Sequence, residues 1–184
     1  MATVANGARM QRGSGVPIRE LRGDAKALAR EEFEERHGRA FLLLSAAELT
    51  AGQPSITEVR LDGDSKARAE STASLSLVVF AVRRNDRSAS HLITVGRAPD
   101  NDVVVPDVSI SRFHAFMKEG GAGYWVMQDA GSTNGTTVNG HSVPRQGHGP
   151  PVELSSGDDV RLGQVELTFL DGEALVSFAL RLER

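Results

Sequence analysis

The chain has 184 residues, a formal net charge of −3 and no cysteine, so it is long enough for one ordinary domain with additions and excludes disulfides, zinc-thiolate sites and cysteine nucleophiles. Its lysines and arginines form no basic cluster of the kind that lines a nucleic-acid groove. No apolar run approaches the roughly 20 residues that span a bilayer, and the first residues lack a secretion signal, so we expect a cytoplasmic protein that binds neither nucleic acid nor membrane.

The first part of the chain, residues 1–74, is predicted to be a charged helical segment followed by a flexible linker. Residues 17–35 are highly charged and indicate a surface helix, with Asp24 as a candidate N-cap. The apolar residues 41–44 form either the buried end of this helix or a short strand, because periodicity does not separate the two in so short a run. Residues 62–74 are small and polar, which is typical of a linker.

Residues 75–171 have the pattern of an all-β, antiparallel sandwich, because short apolar strands alternate with turn signals. One predicted hairpin turns at Asn139-Gly140, which supplies the positive φ angles of a tight type I′ turn. A second hairpin turns in the glycine-rich residues 119–123. In chain order, the predicted strands are residues 75–82, 91–95, 103–105, 113–118, 124–128, 136–138, 141–143, 152–154, 159–162 and 164–170.

Residues 172–184 change to a helical period and predict a C-terminal helix, for which Asp171 is the candidate N-cap. A further strand after an Asp171-Gly172 turn is the alternative. The apolar residues spaced by three and four positions are Leu175, Phe178, Ala179 and Leu182.

Three predicted loops carry side chains suited to hold an anion, and all three lie at strand ends. Arg97 offers a planar fork that can donate two parallel hydrogen bonds to one phosphate. Ser111 offers a compact hydroxyl donor, and Arg112 adds charge. Gly131 and Gly135 allow the third loop to turn tightly and present backbone N–H groups. Such fixed donors, without an activated nucleophile, indicate phosphate capture without catalysis.

The ordered set of these motifs resembles the forkhead-associated (FHA) domain family over roughly half of the chain, from about residue 75 to 170. The resemblance implies an FHA/SMAD-like antiparallel β-sandwich with helical additions at both ends. It also implies a non-catalytic adaptor that binds phosphothreonine in a partner, such as a Ser/Thr kinase or its substrate, without cofactor or metal. The motifs are Gly96-Arg97, Ser111-Arg112-x-His114, Ser132-Thr133-Asn134-Gly135-Thr136 and Asn139-Gly140.

The resemblance assigns roles to nine positions. Those expected to bind the phosphopeptide are Arg97, Ser111, Arg112 and Thr133 on the phosphate, and Asn134 and Asn139 on the ligand's main chain. Those expected to support the site are Gly96, His114 and Gly135, with His114 buried as a brace. An acidic ligand residue three places after the phosphothreonine is not expected to be favoured, because the loop before the Ser-Arg pair contains Asp107.

Other interpretations of the same residues stay open at this stage. The two arginines could form surface salt bridges, the serine and threonine could only form turns, and Asn139 could serve its hairpin alone. A sandwich that recruits partners through another face, without phosphate, is a second hypothesis. A hydrolase triad of Ser111, His114 and Asp129 is not favoured, because no nucleophile elbow surrounds the serine.

Overall fold

The computed structural model describes residues 13–45, 77–84 and 91–182, and the predicted linker at residues 62–74 lies outside them. Its strands are β1 Val16–Pro17, β2 Ala40–Ser45, β3 Leu77–Ala81, β4 Ile93–Gly96, β5 Val103–Val104, β6 Ala115–Glu119, β7 Trp125–Asp129, β8 Thr136–Val138, β9 His141–Ser142, β10 Val152–Leu154, β11 Asp159–Leu162 and β12 Val165–Asp171. Its helices are α1 Ile18–Ala27, α2 Arg30–His37 and α3 Gly172–Arg181.

The strands form two sheets, which confirms the predicted β-sandwich. A seven-stranded sheet has the order β1-β3-β2-β12-β11-β8-β9, and a five-stranded sheet has the order β10-β7-β6-β4-β5. Neighbouring strands are antiparallel, except that β4 and β5 are parallel. Asn139 and Gly140 have φ angles of 49° and 78°, so the predicted tight turn between β8 and β9 is confirmed.

The core lies between the two sheets because side chains alternate along each strand. In β2, Leu42 and Leu44 face the five-stranded sheet and join a buried cluster that includes Met127 and Phe169. The other side of the same strand, with Phe41 and Leu43, faces outward and is covered by the helices. The molecule is therefore layered as helices, large sheet and small sheet.

The position of β2 corrects the predicted domain division. Ala40–Ser45 pairs with β12 on one side and with β3 on the other, so the ambiguous residues 41–44 are a central strand. A boundary near residue 75 separates strands that lie side by side in one sheet. The run is apolar throughout because one of its faces meets the sandwich core and the other meets the helices.

The N-terminal helical prediction is correct in type and wrong in detail, because residues 17–35 contain two helices. The first begins after Pro17 and ends before Leu28, whose backbone is extended. Asp24 is not an N-cap: it lies inside α1, is buried, and accepts hydrogen bonds from Arg36 at 3.0 Å and from His37 at 2.8 Å. Its carboxylate therefore holds α2 against α1.

The C-terminal helix is confirmed, and the alternative of a further strand is wrong. The Asp171 carboxylate accepts a 2.8 Å hydrogen bond from the Ala174 N–H and caps α3 as predicted. Leu175 and Ala179 are buried against the outer face of the large sheet. None of the helices in the described ranges is long and apolar enough to cross a membrane.

The two ends of the sandwich, the loop end and the far end, carry different segments of the chain. The loop end carries residues 97–102, 105–114, 130–135 and 163–164, where β4 and β7 end and β6 begins. The far end carries residues 38–39, 82–84, 91–93 and 118–125.

Candidate functional site

An open depression of about 470 Å³ lies at the loop end. Its lining includes five of the six residues predicted to bind a ligand, drawn from three separate loops. Two guanidinium groups line it, and no carboxylate of the described residues does. The lining residues are Arg97, Val108, Ser109, Ile110, Ser111, Arg112, Phe113, Gly131, Thr133 and Asn134.

The first two loops are joined through their backbones. The Arg97 N–H donates to the Ser111 carbonyl at 3.1 Å, and the Ala98 N–H donates to the Arg112 carbonyl at 3.2 Å. A Cβ atom on Gly96 would lie 2.4 Å from that Arg112 carbonyl oxygen. Only glycine fits here without a backbone shift, so Gly96 allows the two arginine-bearing segments to lie side by side.

A pair of hydroxyls links the second loop to the third. The Thr133 N–H donates to Ser111 Oγ at 3.0 Å, and Ser111 Oγ lies 3.4 Å from Thr133 Oγ1. The Ser111 hydroxyl donates to Thr133 Oγ1 in this long contact, and it can turn toward an anion instead because a hydroxyl hydrogen rotates to suit its partner. Ser111 is half-buried and Thr133 is exposed, so both hydroxyls can reach an incoming anion.

Asn134 is oriented by one hydrogen bond and keeps the rest of its amide available. Its Nδ2 donates to the Ser109 carbonyl at 2.7 Å. Its Oδ1 has no hydrogen-bond partner among the described residues, and the side chain is exposed. An amide held in this way offers one acceptor and one further donor to the main chain of a bound peptide.

His114 is fully buried and ties the second loop to the third, as expected for a brace. Its Nδ1 accepts a 3.0 Å hydrogen bond from the Ser111 N–H, so Nε2 carries the proton and donates to the Gly135 carbonyl at 3.1 Å. Burial lowers the pKa of His114, against the opposing effects of the Gly135 carbonyl and of Asp129. The ring is therefore held neutral, in one tautomer.

Asp129 organises the third loop and was predicted only as a member of the disfavoured triad. Its carboxylate accepts from Ser132 Oγ at 2.6 Å, from Thr136 Oγ1 at 2.7 Å and from the N–H groups of Gly131 and Ser132. Burial alone would raise the pKa of Asp129, but these hydrogen bonds outweigh it and hold the pKa below its usual value. Asp followed closely by Gly and Ser is a turn signal that could have identified this role.

These bonds exclude the triad geometry. Both ring nitrogens of His114 are engaged, one by the backbone N–H of Ser111 and the other by a carbonyl. The Asp129 carboxylate bonds to its own loop and not to the imidazole. Neither His114 nor Asp129 is therefore directed at the Ser111 hydroxyl as a base.

Two acidic residues near the arginines are occupied by other partners, Asp107 within its own loop and Asp102 on strand β4. Asp107 accepts from the N–H and Oγ of Ser109, at 2.7 and 2.6 Å. Asp102 accepts from the N–H and Oγ1 of Thr94, at 2.9 and 3.0 Å. Among the described residues, the ion pairs do not involve Arg97 or Arg112. The salt-bridge interpretation of the two arginines is therefore not supported.

Asn139 is the one predicted ligand residue that the fold does not bring to the depression. Its Nδ2 donates to Asp158 Oδ1 at 2.8 Å, and its Oδ1 accepts from the Asp159 N–H at 2.9 Å. Both ends of the amide thus tie the β8–β9 turn to the beginning of β11 and the residue before it. This placement fits the hairpin interpretation of Asn139.

Two apolar side chains at the site were not predicted. Val108 is 87% exposed and Phe113 is 40% exposed, and both line the depression. The Phe113 ring packs edge-on against Phe116 with centroids 4.8 Å apart. A rigid aromatic ring and a protruding valine therefore stand beside the polar donors.

Residues 93–163 match the family model of the FHA domain. The chain carries an FHA domain. It is 36% identical over 100 residues to an oxoglutarate dehydrogenase inhibitor of Corynebacterium jeikeium, covering 51% of this chain and 65% of that protein. It is also 36% identical over 101 residues to the glycogen accumulation regulator GarA of Mycolicibacterium smegmatis, covering 51% of this chain and 59% of that protein.

A solved FHA domain is similar as well. The FhaA FHA domain, solved in complex with the intracellular domain of Rv3910, is 30% identical with a TM-score of 0.40, and the match covers 50% of this chain and 86% of that one. The chain thus spans only about two thirds or less of the length of the two named full-length relatives.

Proposed function

We propose that the chain is a non-catalytic adaptor whose FHA domain binds phosphothreonine-containing segments of partner proteins, downstream of a Ser/Thr kinase. The observation that carries this proposal is the convergence of two guanidinium groups, two hydroxyls and one oriented amide on a single depression, where none of the lining residues in the described part of the chain is acidic. Three loops contribute these groups, so the site depends on the fold and not on one motif.

The donor set suits a phosphate monoester. Such a group carries about −1.5 to −2 charges and three acceptor oxygens. Arg97 and Arg112 supply the charge, and Ser111 and Thr133 supply neutral donors from opposite loops. Asn134 stands beside them, with an acceptor and a donor for the peptide on either side of the modified residue.

The non-catalytic part of the proposal is supported by the state of His114. Its two nitrogens are committed to Ser111 and Gly135, so it is unavailable as a general base. The names of two relatives, an inhibitor and a regulator, also favour a regulatory role. A partner that is a kinase or its substrate stays a proposal.

The walls of the depression favour an apolar ligand residue near the phosphothreonine. Val108 and Phe113 offer exposed apolar surface, and burying such surface is worth about 25 cal/mol per Å². Asp107 is bound within its loop, but its negative charge opposes an acidic ligand side chain. We therefore expect a large apolar residue to be preferred over Asp or Glu at the position that reaches this wall.

Calorimetric titration with a phosphothreonine peptide, its phosphoserine analogue and the unmodified peptide tests the function directly. Only the phosphorylated peptides are expected to bind, with phosphothreonine tighter. Arg97→Ala is expected to weaken binding by roughly 10- to 100-fold, because a hydrogen bond to a charged group is worth about 1.5–3 kcal/mol. Arg97→Lys keeps the charge but loses the two parallel hydrogen bonds of the guanidinium. Its affinity is therefore expected to lie between those of the wild type and the Arg97→Ala variant.

Arg19→Ala is the matched control, since Arg19 is an exposed arginine on α1 outside the depression. It is expected to bind like the wild type. Equal affinity of the Arg97→Ala variant and the wild type for one phosphothreonine peptide would contradict the proposal. Pull-downs from the native cell, with and without phosphatase, then identify the partner.

A further inference from the structure

A second concave surface lies at the far end of the sandwich, the cleft lined by Gly38, Arg39, Val82, Arg83, Arg84, His91, Ile93, Lys118, Glu119 and Trp125. Its volume of about 500 Å³ is close to that of the loop-end depression. It is separated from that depression by the length of β6, which at about 3.3 Å per residue amounts to about 15 Å. The two concavities are therefore distinct.

The floor of the cleft is apolar. Val82, Ile93 and Trp125 line it while being only 2%, 6% and 6% exposed, and all three belong to the sandwich core. The Trp125 ring is held on its inner side by Phe169, with centroids 6.5 Å apart. The floor is thus a rigid extension of the core, suited to receive one apolar side chain.

The rim of the cleft is cationic. Among the described residues, four permanently charged basic side chains and one imidazole line it, against one carboxylate. That carboxylate, on Glu119, accepts a 3.2 Å hydrogen bond from Arg39, which also lies 3.8 Å from Glu34, so the charge of Arg39 is offset as well. Lys118 is exposed and forms none of the ion pairs found among the described residues. This excess of positive charge lies on a chain whose net charge is −3, so it is local to the cleft.

We propose that the far-end cleft is a second binding site, which takes an acidic peptide segment of a partner protein with one large apolar side chain seated on the floor. The charge of the rim selects the sign of the ligand, because buried and concave surroundings strengthen the attraction between opposite charges. The apolar floor argues for a peptide and against a simple inorganic anion, since an anion leaves the Trp125 surface unused. This site does not depend on phosphate capture at the loop end.

Trp125 is the chain's single tryptophan, so its fluorescence reports directly on the cleft. The probe is a capped peptide without tryptophan, in which one leucine is flanked by glutamates. Titration into the wild-type protein is expected to give a saturable change in Trp125 emission. Versions with the glutamates replaced by glutamine or lysine are expected to give none at the same concentrations.

Charge reversal in the cleft is the decisive step. Lys118→Glu and Arg84→Glu are each expected to lower the affinity for the acidic probe at least 10-fold. Melting temperatures show whether each variant is folded. Lys118→Ala serves as a milder variant, in case reversal disturbs β6. Arg19→Glu is the matched reversal outside the cleft, and Arg97→Ala removes charge at the loop end; both are expected to leave the affinity for the probe unchanged.

Three outcomes overturn the proposal. One is the absence of saturable binding by the acidic probe. Another is an unchanged affinity in the folded Lys118→Glu and Arg84→Glu variants. The third is saturation of the cleft by inorganic phosphate or a nucleotide at lower concentration than by the peptide, which assigns the site to a small anion instead. Because phosphothreonine binding is measured with Arg97→Ala, failure here leaves the loop-end function unaffected.

Discussion

The two ends of the sandwich present positive charge in different ways. At the loop end, the arginines stand among hydroxyls, amides and backbone N–H groups whose positions are set by hydrogen bonds from His114 and Asp129. At the far end, cations surround an apolar floor; Arg39 pairs with Glu119 and Glu34, and Arg83 donates to the Arg36 carbonyl.

The loop end is therefore expected to select its ligand by shape, and the far end by charge. Fixed neutral donors select the shape of an anion, because every group keeps its position before the ligand arrives. Charged side chains around a hydrophobic floor select the sign and size of a ligand instead, and tolerate many sequences. The loop end is therefore suited to one chemical group, and the far end to a class of segments.

Glycine substitution at each end is expected to give the largest contrast. Gly96→Ala places a Cβ 2.4 Å from the Arg112 carbonyl, so we expect a loss of about 3 kcal/mol in the free energy of unfolding, as for severe overpacking. Gly121→Ala at the far end meets nothing within 4 Å and is expected to be nearly neutral. Urea unfolding measures both. Equal stabilities would mean that the loop end tolerates displacement of its backbone.

Acidification is expected to weaken the loop end through His114. Burial lowers the pKa of this ring, so the folded state keeps it neutral where the unfolded chain takes up a proton, near pH 6.5. The contribution of neutral His114 to the free energy of unfolding is fully present above about pH 6.5. It decreases by up to about 1.4 kcal/mol per pH unit as the pH falls toward the lowered pKa. His37, also buried with a lowered pKa, acts in the same direction between α1 and α2.

Unfolding by urea between about pH 7.5 and 5.5 measures this slope. His114→Asn keeps an acceptor for the Ser111 N–H but cannot be protonated in this range, so the slope is expected to decrease in this variant. A slope identical to that of the wild type would remove His114 as the source of the acid sensitivity.

Asn139→Ala is expected to have the smallest effect on binding, and it tests whether Asn139 belongs to the ligand-binding site. The substitution removes hydrogen bonds to Asp158 and Asp159 at a positive φ angle, so we expect a loss of about 1 kcal/mol in stability. Phosphopeptide affinity is expected to stay within about twofold, whereas Asn134→Ala is expected to weaken it roughly 10-fold. Calorimetry with the same peptide distinguishes the two variants. An equal loss of affinity in Asn139→Ala would mean that Asn139 contacts the peptide.

The sequence was sufficient for the strands from β3 onward and for most of the loop-end site. Alternating apolar residues and the Asn139-Gly140 turn are local signals, so they locate strands and hairpins directly. The loop-end motifs place their side chains at strand ends. Convergence then follows once the strands pair, and five predicted residues do line one depression.

What sequence reasoning missed depends on contacts between distant segments. The place of Ala40–Ser45 is set by partners beyond residue 76, and nothing within the run identifies them. The partners of Asn139 and of Asp24 likewise lie in other elements. The far-end cleft is assembled from several short segments that carry no shared motif, so only the fold reveals it.

The central position of β2 also bears on how the chain is made. Leu44 pairs with Leu167, so an apolar strand has to wait for a neighbour that is synthesised far downstream in the chain. Such distant pairing is slow, and an unpaired apolar strand is prone to aggregate in the meantime. The nascent protein therefore passes through a vulnerable period that closes only when β12 has emerged.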